Sequence, residues 1–125
     1  MRLLVFTLFP LALSAQQDLR LSYISPIDNT VQPYRLYIPK AHASPAPLVI
    51  AMHGTGGNEN TLFDDPAYQH VSLKQAAETH GMMVLSPLGR GITEYRGTGE
   101  HDVLSALAEV QKRWPIDPAR IYLTG

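Results

Sequence analysis

The sequence His53-Gly54-Thr55-Gly56-Gly57-Asn58 directly follows the apolar run LVIAM at 48–52. Such a loop exposes several backbone N–H groups with little side chain in the way. Three chemistries compete for it. A dinucleotide fingerprint needs G-x-G-x-x-G, but Gly54 and Gly56 are followed by Glu59 where the third glycine belongs, and its negative charge would oppose a pyrophosphate. The pairs Gly89/Gly91 and Gly97/Gly99 lack a third glycine too. A phosphate-binding P-loop needs G-K-[ST], and no lysine follows. The third use is an oxyanion hole, in which an N–H of this loop joins the N–H of the residue after a nucleophile. Every residue present suits that use. A plain tight glycine turn at a strand end is the remaining alternative.

The histidines offer less. His53 is in the wrong place for a general base if the loop supplies an oxyanion N–H, because the base histidine then follows the nucleophile and the acid in chain order. It is expected to fix the loop by hydrogen bonds. His101 stands between Glu100 and Asp102, but no H-E-x-x-H or comparable ligand spacing exists, so no metal is expected and helix capping is the better reading. His42, His70 and His80 read as surface or half-buried. Tyr95 and Arg96 lie in a glycine-rich stretch that either shapes a substrate pocket or is an ordinary surface loop.

The positioning elements follow from periodicity. Residues 19–27 partly alternate and 34–38 (YRLYI) alternate cleanly, with Asp28-Asn29-Thr30 as turn chemistry between them, which predicts an antiparallel hairpin. Pro45 and Pro47 mark a connection. The run at 48–52 has no alternation and reads as a strand buried on both faces. Residues 66–80 read as a helix, with Asp64-Asp65 as caps, Leu73, Ala76, Ala77 and His80 on one face, and Gly81 as the stop. A second buried strand follows at 82–85, then a loop at 88–99. Residues 102–114 read as the best helix, with Val103, Leu107, Val110 and Trp114 in one stripe, Leu104 widening it and Trp114 in the core. Glu100 and Asp102 suit its N-terminal dipole, and Lys112 and Arg113 its last turn. Residues 117–120 form a turn, and 121–123 begin a third buried strand. Apolar strands alternating with amphipathic helices predict an α/β fold, an antiparallel hairpin followed by a mostly parallel, doubly wound sheet. In such a sheet the 53–58 loop, the 86–99 loop and Gly125 share the rim where ligands bind.

Composition narrows the function. The 125 residues suffice for one small domain but fall short of a typical α/β enzyme of about 200 residues or more. Ten Lys and Arg against eleven Asp and Glu leave no basic stripe for nucleic acid and no polybasic cluster for an anionic membrane. With no cysteine, thiol catalysis and disulfides are excluded within this stretch. Arg2, the apolar run at 3–13 and the small Ser14-Ala15 read as a secretory signal peptide over 1–15, cut near Ala15. The run is about half of the ~20 residues that span a bilayer, so no stable membrane anchor is expected. Residues 16–125 then begin a single, incomplete domain, exported or periplasmic. No feature commits it to an oligomeric state.

A strand reaching Thr124-Gly125 about 70 residues after the glycine loop is where a nucleophile elbow, G-x-S-x-G, is expected, with Gly125 as its first glycine. At this point PLVIAMHGTGGNE, GRGITEYRGTGEHDVLSAL and WPIDPARIYLTG together carry a resemblance. The chain resembles secreted α/β-hydrolase serine esterases, including carboxylesterases, feruloyl esterases and polyhydroxybutyrate depolymerase-like enzymes, and is similar to the catalytic domain of the prolyl oligopeptidase family. The likeness covers nearly all residues after the leader. It implies that Thr55, flanked by Gly54 and Gly56, supplies an oxyanion-hole N–H, and that the nucleophile comes just after Gly125. It implies hydrolysis of a small-molecule ester or short peptide through an acyl-enzyme, without a cofactor. Three alternatives stay open: a serine peptidase, a cysteine or aspartate nucleophile, and a non-catalytic module on the same scaffold.

Overall fold

A computed structural model describes residues 12, 13, 15–91 and 93–125. Most of the proposed leader lies outside the described residues. Five strands form one mixed sheet: β2 (Gln17–Ile24), β3 (Val31–Ile38), β5 (Ala46–Ala51), β6 (Met83–Pro87) and β7 (Ile116–Thr124). Two short strands, β1 (Ala12–Leu13) and β4 (Ala41–His42), pair separately. The helices are α1 (Thr61–Asp64), α2 (Leu73–His80) and α3 (Thr98–Arg113), with a 3-10 helix at Pro66–Val71.

The sheet order is β2-β3-β6-β5-β7. β2 and β3 form the expected hairpin, β3 runs antiparallel to β6, and β5 is parallel to both β6 and β7. From β5 the chain crosses through α1 and α2 to β6 on one side. It then crosses back through α3 to β7 on the other. Crossovers of one hand that leave in opposite directions place their helices on opposite faces. Accordingly Leu36, Leu48, Ile50, Met83 and Leu85 pack under Val103, Ala106 and Val110 of α3. Tyr37, Ala51 and Val84 pack under Phe63 and Ala77. The reversal at β5 is a topological switch point, and it opens a crevice at the carboxyl ends of β5, β6 and β7.

Several details depart from the sequence reading. The alternation in β3 does not mark a half-exposed strand: Tyr34, Arg35, Leu36, Tyr37 and Ile38 are all buried, because helices cover both faces. Arg35 is 2% exposed and forks onto both carboxylate oxygens of Asp18 at 2.8 Å, while its Nη1 meets Asp64 at 2.7 Å. Its guanidinium also stacks 4.7 Å from the Phe63 ring centroid. Asp64 therefore serves Arg35, and Asp65 alone caps, accepting from the Ala67 N–H at 2.9 Å.

The helix expected over 66–80 is two elements, because the Ser72 hydroxyl accepts from the Gln75 N–H and restarts the chain as an N-cap. Of its predicted apolar face only Leu73 and Ala77 pack inward; Ala76 and His80 are exposed. Among the described residues the third strand lies last in the sheet order, with Leu123 63% exposed. The turn at 117–120 interrupts it, bulging opposite Pro47 between the pairs Ala46–Ile116 and Leu48–Ile121. Pro47 has no N–H to donate to a ladder there. Leu104 is 57% exposed and does not widen the α3 stripe. Trp114 is half-buried against the core rather than inside it.

α3 begins at Thr98, four residues before the expected start, with Gly97 as N-cap. Gly99 lies in its first turn because no side chain fits there: a Cβ would lie 2.0 Å from Thr93 Oγ1 and 2.9 Å from Gly89 O. Gly99, which read as loop, is thus what lets the helix start against Gly89 and Thr93. His101 caps nothing; its exposed ring meets Ser105 Oγ at 3.3 Å one turn on.

Candidate oxyanion site

The crevice at the switch point is a cleft of about 240 Å³ between the β5 and β6 loops. His53, Gly54, Thr55, Gly89, Glu94 and Tyr95 line it. β5 delivers the first three directly, since it is an interior strand of the sheet, buried from Ala46 to Ala51 except at the half-buried Val49.

His53 is buried. Its Nδ1 lies 2.8 Å from Gly54 O and its Nε2 2.8 Å from Leu88 O, so the ring ties the glycine loop to the segment after β6. The Gly57 N–H donates to Gly54 O at 3.1 Å and closes the turn. Gly56 sits at its bend with φ 79°. Among the described residues no acceptor meets the N–H of Thr55 or of Gly56, and Thr55 faces the cleft. Unsatisfied backbone donors held at a strand end form a site for negative charge.

Tyr95 braces the same loop. Its hydroxyl donates to the His53 carbonyl at 2.9 Å, and the two rings lie 5.5 Å apart. Burial pushes the phenol up to about 12, so it stays a donor at neutral pH. Tyr95 holds φ 57°, and its neighbour Glu94 φ 49°. Non-glycine residues rarely adopt this conformation unless their surroundings enforce it. Arg96 points away; its side chain is 85% exposed, pairs loosely with Glu94 at 4.0 Å and does not line the cleft.

Gly125 completes the juxtaposition. Thr124 O accepts from the Met52 N–H at 2.9 Å, which sets the end of β7 beside the end of β5. A Cβ on Gly125 would lie 2.8 Å from Met52 O. Only glycine fits this close to the residue preceding His53. The structure therefore brings His53, Gly54, Thr55, Tyr95 and Gly125 to one rim and leaves Arg96 outside.

Sequence reasoning missed Arg90 and Asp102. Asp102, read as a dipole partner at the start of α3, is buried at 1% exposure and ion-paired with Arg90. The signal was an arginine between two glycines, Gly89-Arg90-Gly91, in a stretch treated as one loop. Among the described residues no cluster of three or more His, Asp or Glu could hold a metal, and no helix is long and apolar enough to cross a membrane.

Family models give no match to the chain, and curated proteins give none. Solved structures do match. S-formylglutathione hydrolase from Staphylococcus aureus is 17% identical with a TM-score of 0.67, covering 88% of this chain and 47% of its own. An S-formylglutathione hydrolase from Agrobacterium tumefaciens is 15% identical with a TM-score of 0.63, covering 91% and 50%. A ferulic acid esterase from Anaeromyces mucronatus is 13% identical with a TM-score of 0.59, covering 86% and 47%. The chain spans about half the length of these solved chains. At such identities the likeness is one of fold: this chain folds as the N-terminal part of an α/β-hydrolase.

Proposed function

We propose that this chain supplies the oxyanion side of a serine hydrolase that cleaves carboxylic esters of small molecules through an acyl-enzyme. The reading rests on one juxtaposition. Thr55, whose N–H meets no acceptor among the described residues, lines a cleft, and Gly125 packs against Met52 O just past the end of β5.

In this mechanism a serine at the second position after Gly125 attacks the ester carbonyl. The oxygen becomes an oxyanion between the Thr55 N–H and the N–H following the serine. Both donors are fixed before the charge develops, so they stabilise the transition state without reorganising. The alcohol leaves as its oxygen takes a proton from the base histidine. Water then repeats the attack on the acyl-serine, and the acid is released. His53 takes no proton in these steps. Two carbonyls occupy its ring nitrogens, and it holds the loop. The apolar run at 3–13 supports export, with cleavage near Ala15.

Ester and peptide hydrolysis share this machinery, so a direct comparison decides between them. The full protein is expected to turn over p-nitrophenyl acetate or butyrate with a kcat/KM well above that on proline-containing p-nitroanilides. A preference for the anilides would replace the esterase reading with the peptidase one.

A further inference from the structure

Arg90 does not line the cleft, yet its guanidinium is held by three side chains. Its Nε donates to Asp102 Oδ2, its Nη1 to Asp28 Oδ2 at 2.6 Å, and its Nη2 to Ser25 Oγ and Asp28 Oδ1 at 3.1 Å each. The Ser25 hydroxyl donates on to Asp102 Oδ1 at 3.1 Å, and the Tyr23 hydroxyl donates to Asp102 O at 2.8 Å. The hydrogen-bonded Arg90 guanidinium holds the Asp28 carboxyl well below the usual range. One fork thus joins three separate elements: the β2–β3 turn, the segment after β6, and the first turns of α3.

The backbone at the fork's root is unusual. Gly89, Arg90 and Gly91 hold φ 57°, 64° and 67°. Three successive left-handed residues do not persist on local preference, least of all with an arginine in the middle. The side-chain fork holds the turn in this shape. That turn fixes two parts of the oxyanion site. Leu88 O lies 2.8 Å from His53 Nε2, with the Gly91 N–H on the same carbonyl at 3.2 Å. Gly89 packs under the Tyr95 ring, whose hydroxyl holds the His53 carbonyl.

We propose that Arg90 is a positioning residue for the oxyanion loop, acting through Leu88 O and His53 on the Thr55 N–H. Asp102, Asp28 and Ser25 are the anchor it pulls against. The inference rests on the serine-esterase reading and goes beyond it in naming what sets the hole's geometry. Displacing a reacting group by about 1 Å costs on the order of 100-fold in rate. Loosening a loop that has other contacts costs less.

The test uses the full protein and a p-nitrophenyl ester. Arg90→Gly removes the guanidinium while keeping a residue that tolerates φ 64°. Because it leaves Asp102 buried without its partner, Arg90→Gly/Asp102→Asn is measured beside it. Both are expected to lose kcat by about tenfold or more, with KM within about twofold of the unaltered protein. Millimolar ethylguanidinium is expected to restore part of the lost kcat in Arg90→Gly. Asp28→Asn, which trims only the exposed end of the fork, covers the case in which the other two do not fold. It is expected to lower kcat several-fold at unchanged KM. Unchanged kcat in the folded double variant, or in Asp28→Asn where neither of the others folds, overturns the role of Arg90 alone. Absence of ester turnover in the unaltered protein overturns the esterase reading and this inference with it.

Discussion

Replacing Thr55 by proline is expected to lower kcat on a p-nitrophenyl ester by roughly 100–1000-fold, while Thr55→Ala stays within several-fold of the unaltered protein. Proline deletes a backbone donor that meets no acceptor among the described residues; alanine keeps it and removes only a hydroxyl. Loss of a single oxyanion donor raises the barrier by about 2.7–4 kcal/mol. Thr55 is exposed, so the stability of both variants is expected to stay close to that of the unaltered protein. Steady-state kinetics with a thermal melt on each variant separates the two effects. Equal turnover for proline and alanine would remove Thr55 from the hole and move the donor to Gly54 or Gly56.

The largest loss of stability is expected at Arg35, on the opposite face of the sheet from α3. Arg35→Ala is expected to destabilise the protein by about 3 kcal/mol at neutral pH, by opening space under Phe63 and breaking a buried fork. The figure sits at the low end for such a pair because Asp18 and Asp64 are partly exposed and keep Lys74 and Arg20 as partners. Arg35→Met, which keeps much of the stem, is expected to cost roughly half as much.

The pH dependence has a definite sign. The Arg35 guanidinium holds the carboxyls of Asp18 and Asp64 below their ordinary value of 3.8. Groups whose folded pKa is depressed contribute stability above the unfolded value and lose it as pH falls toward the folded one. The gap between the unaltered protein and Arg35→Ala is therefore expected to shrink below about pH 4. Urea denaturation at pH 7 and pH 3 measures it. A gap that is constant or wider in acid would mean that packing, not the ion pairs, carries the effect.

What was legible in the sequence is what depends on local pattern. The buried run at 48–52 and the glycine loop behind it announce a central parallel strand with donors at its end, and β5 has both. The stripe of Val103, Leu107 and Val110 is a face of α3 as read, because 3.6-residue periodicity is a property of the helix alone.

What was not legible depends on partners distant in sequence. Arg35 looks like the polar half of an alternating strand until α1 and α2 close over it. Asp102 looks like a dipole partner until Arg90, twelve residues earlier, turns back to meet it. Gly97 and Gly99 look like loop residues because helix propensity counts against glycine; only the crowding by Thr93 and Gly89 shows why the helix accepts Gly99, and only the φ of 56° shows why a glycine caps it at 97. The site follows the same division. His53, Gly54, Thr55 and Gly125 are visible as motif and spacing. The bracing by Tyr95 and the Arg90 fork is made of contacts between segments that the sequence places far apart.

The central claim is that a serine nucleophile stands at the end of β7, within reach of the Thr55 N–H. Labelling the full protein with a fluorophosphonate, followed by peptide mapping, tests it most directly. The account predicts a single covalent adduct on a serine two residues after Gly125, abolished when that serine is replaced by alanine. No adduct on the folded protein, or an adduct mapped elsewhere in the chain, would contradict it.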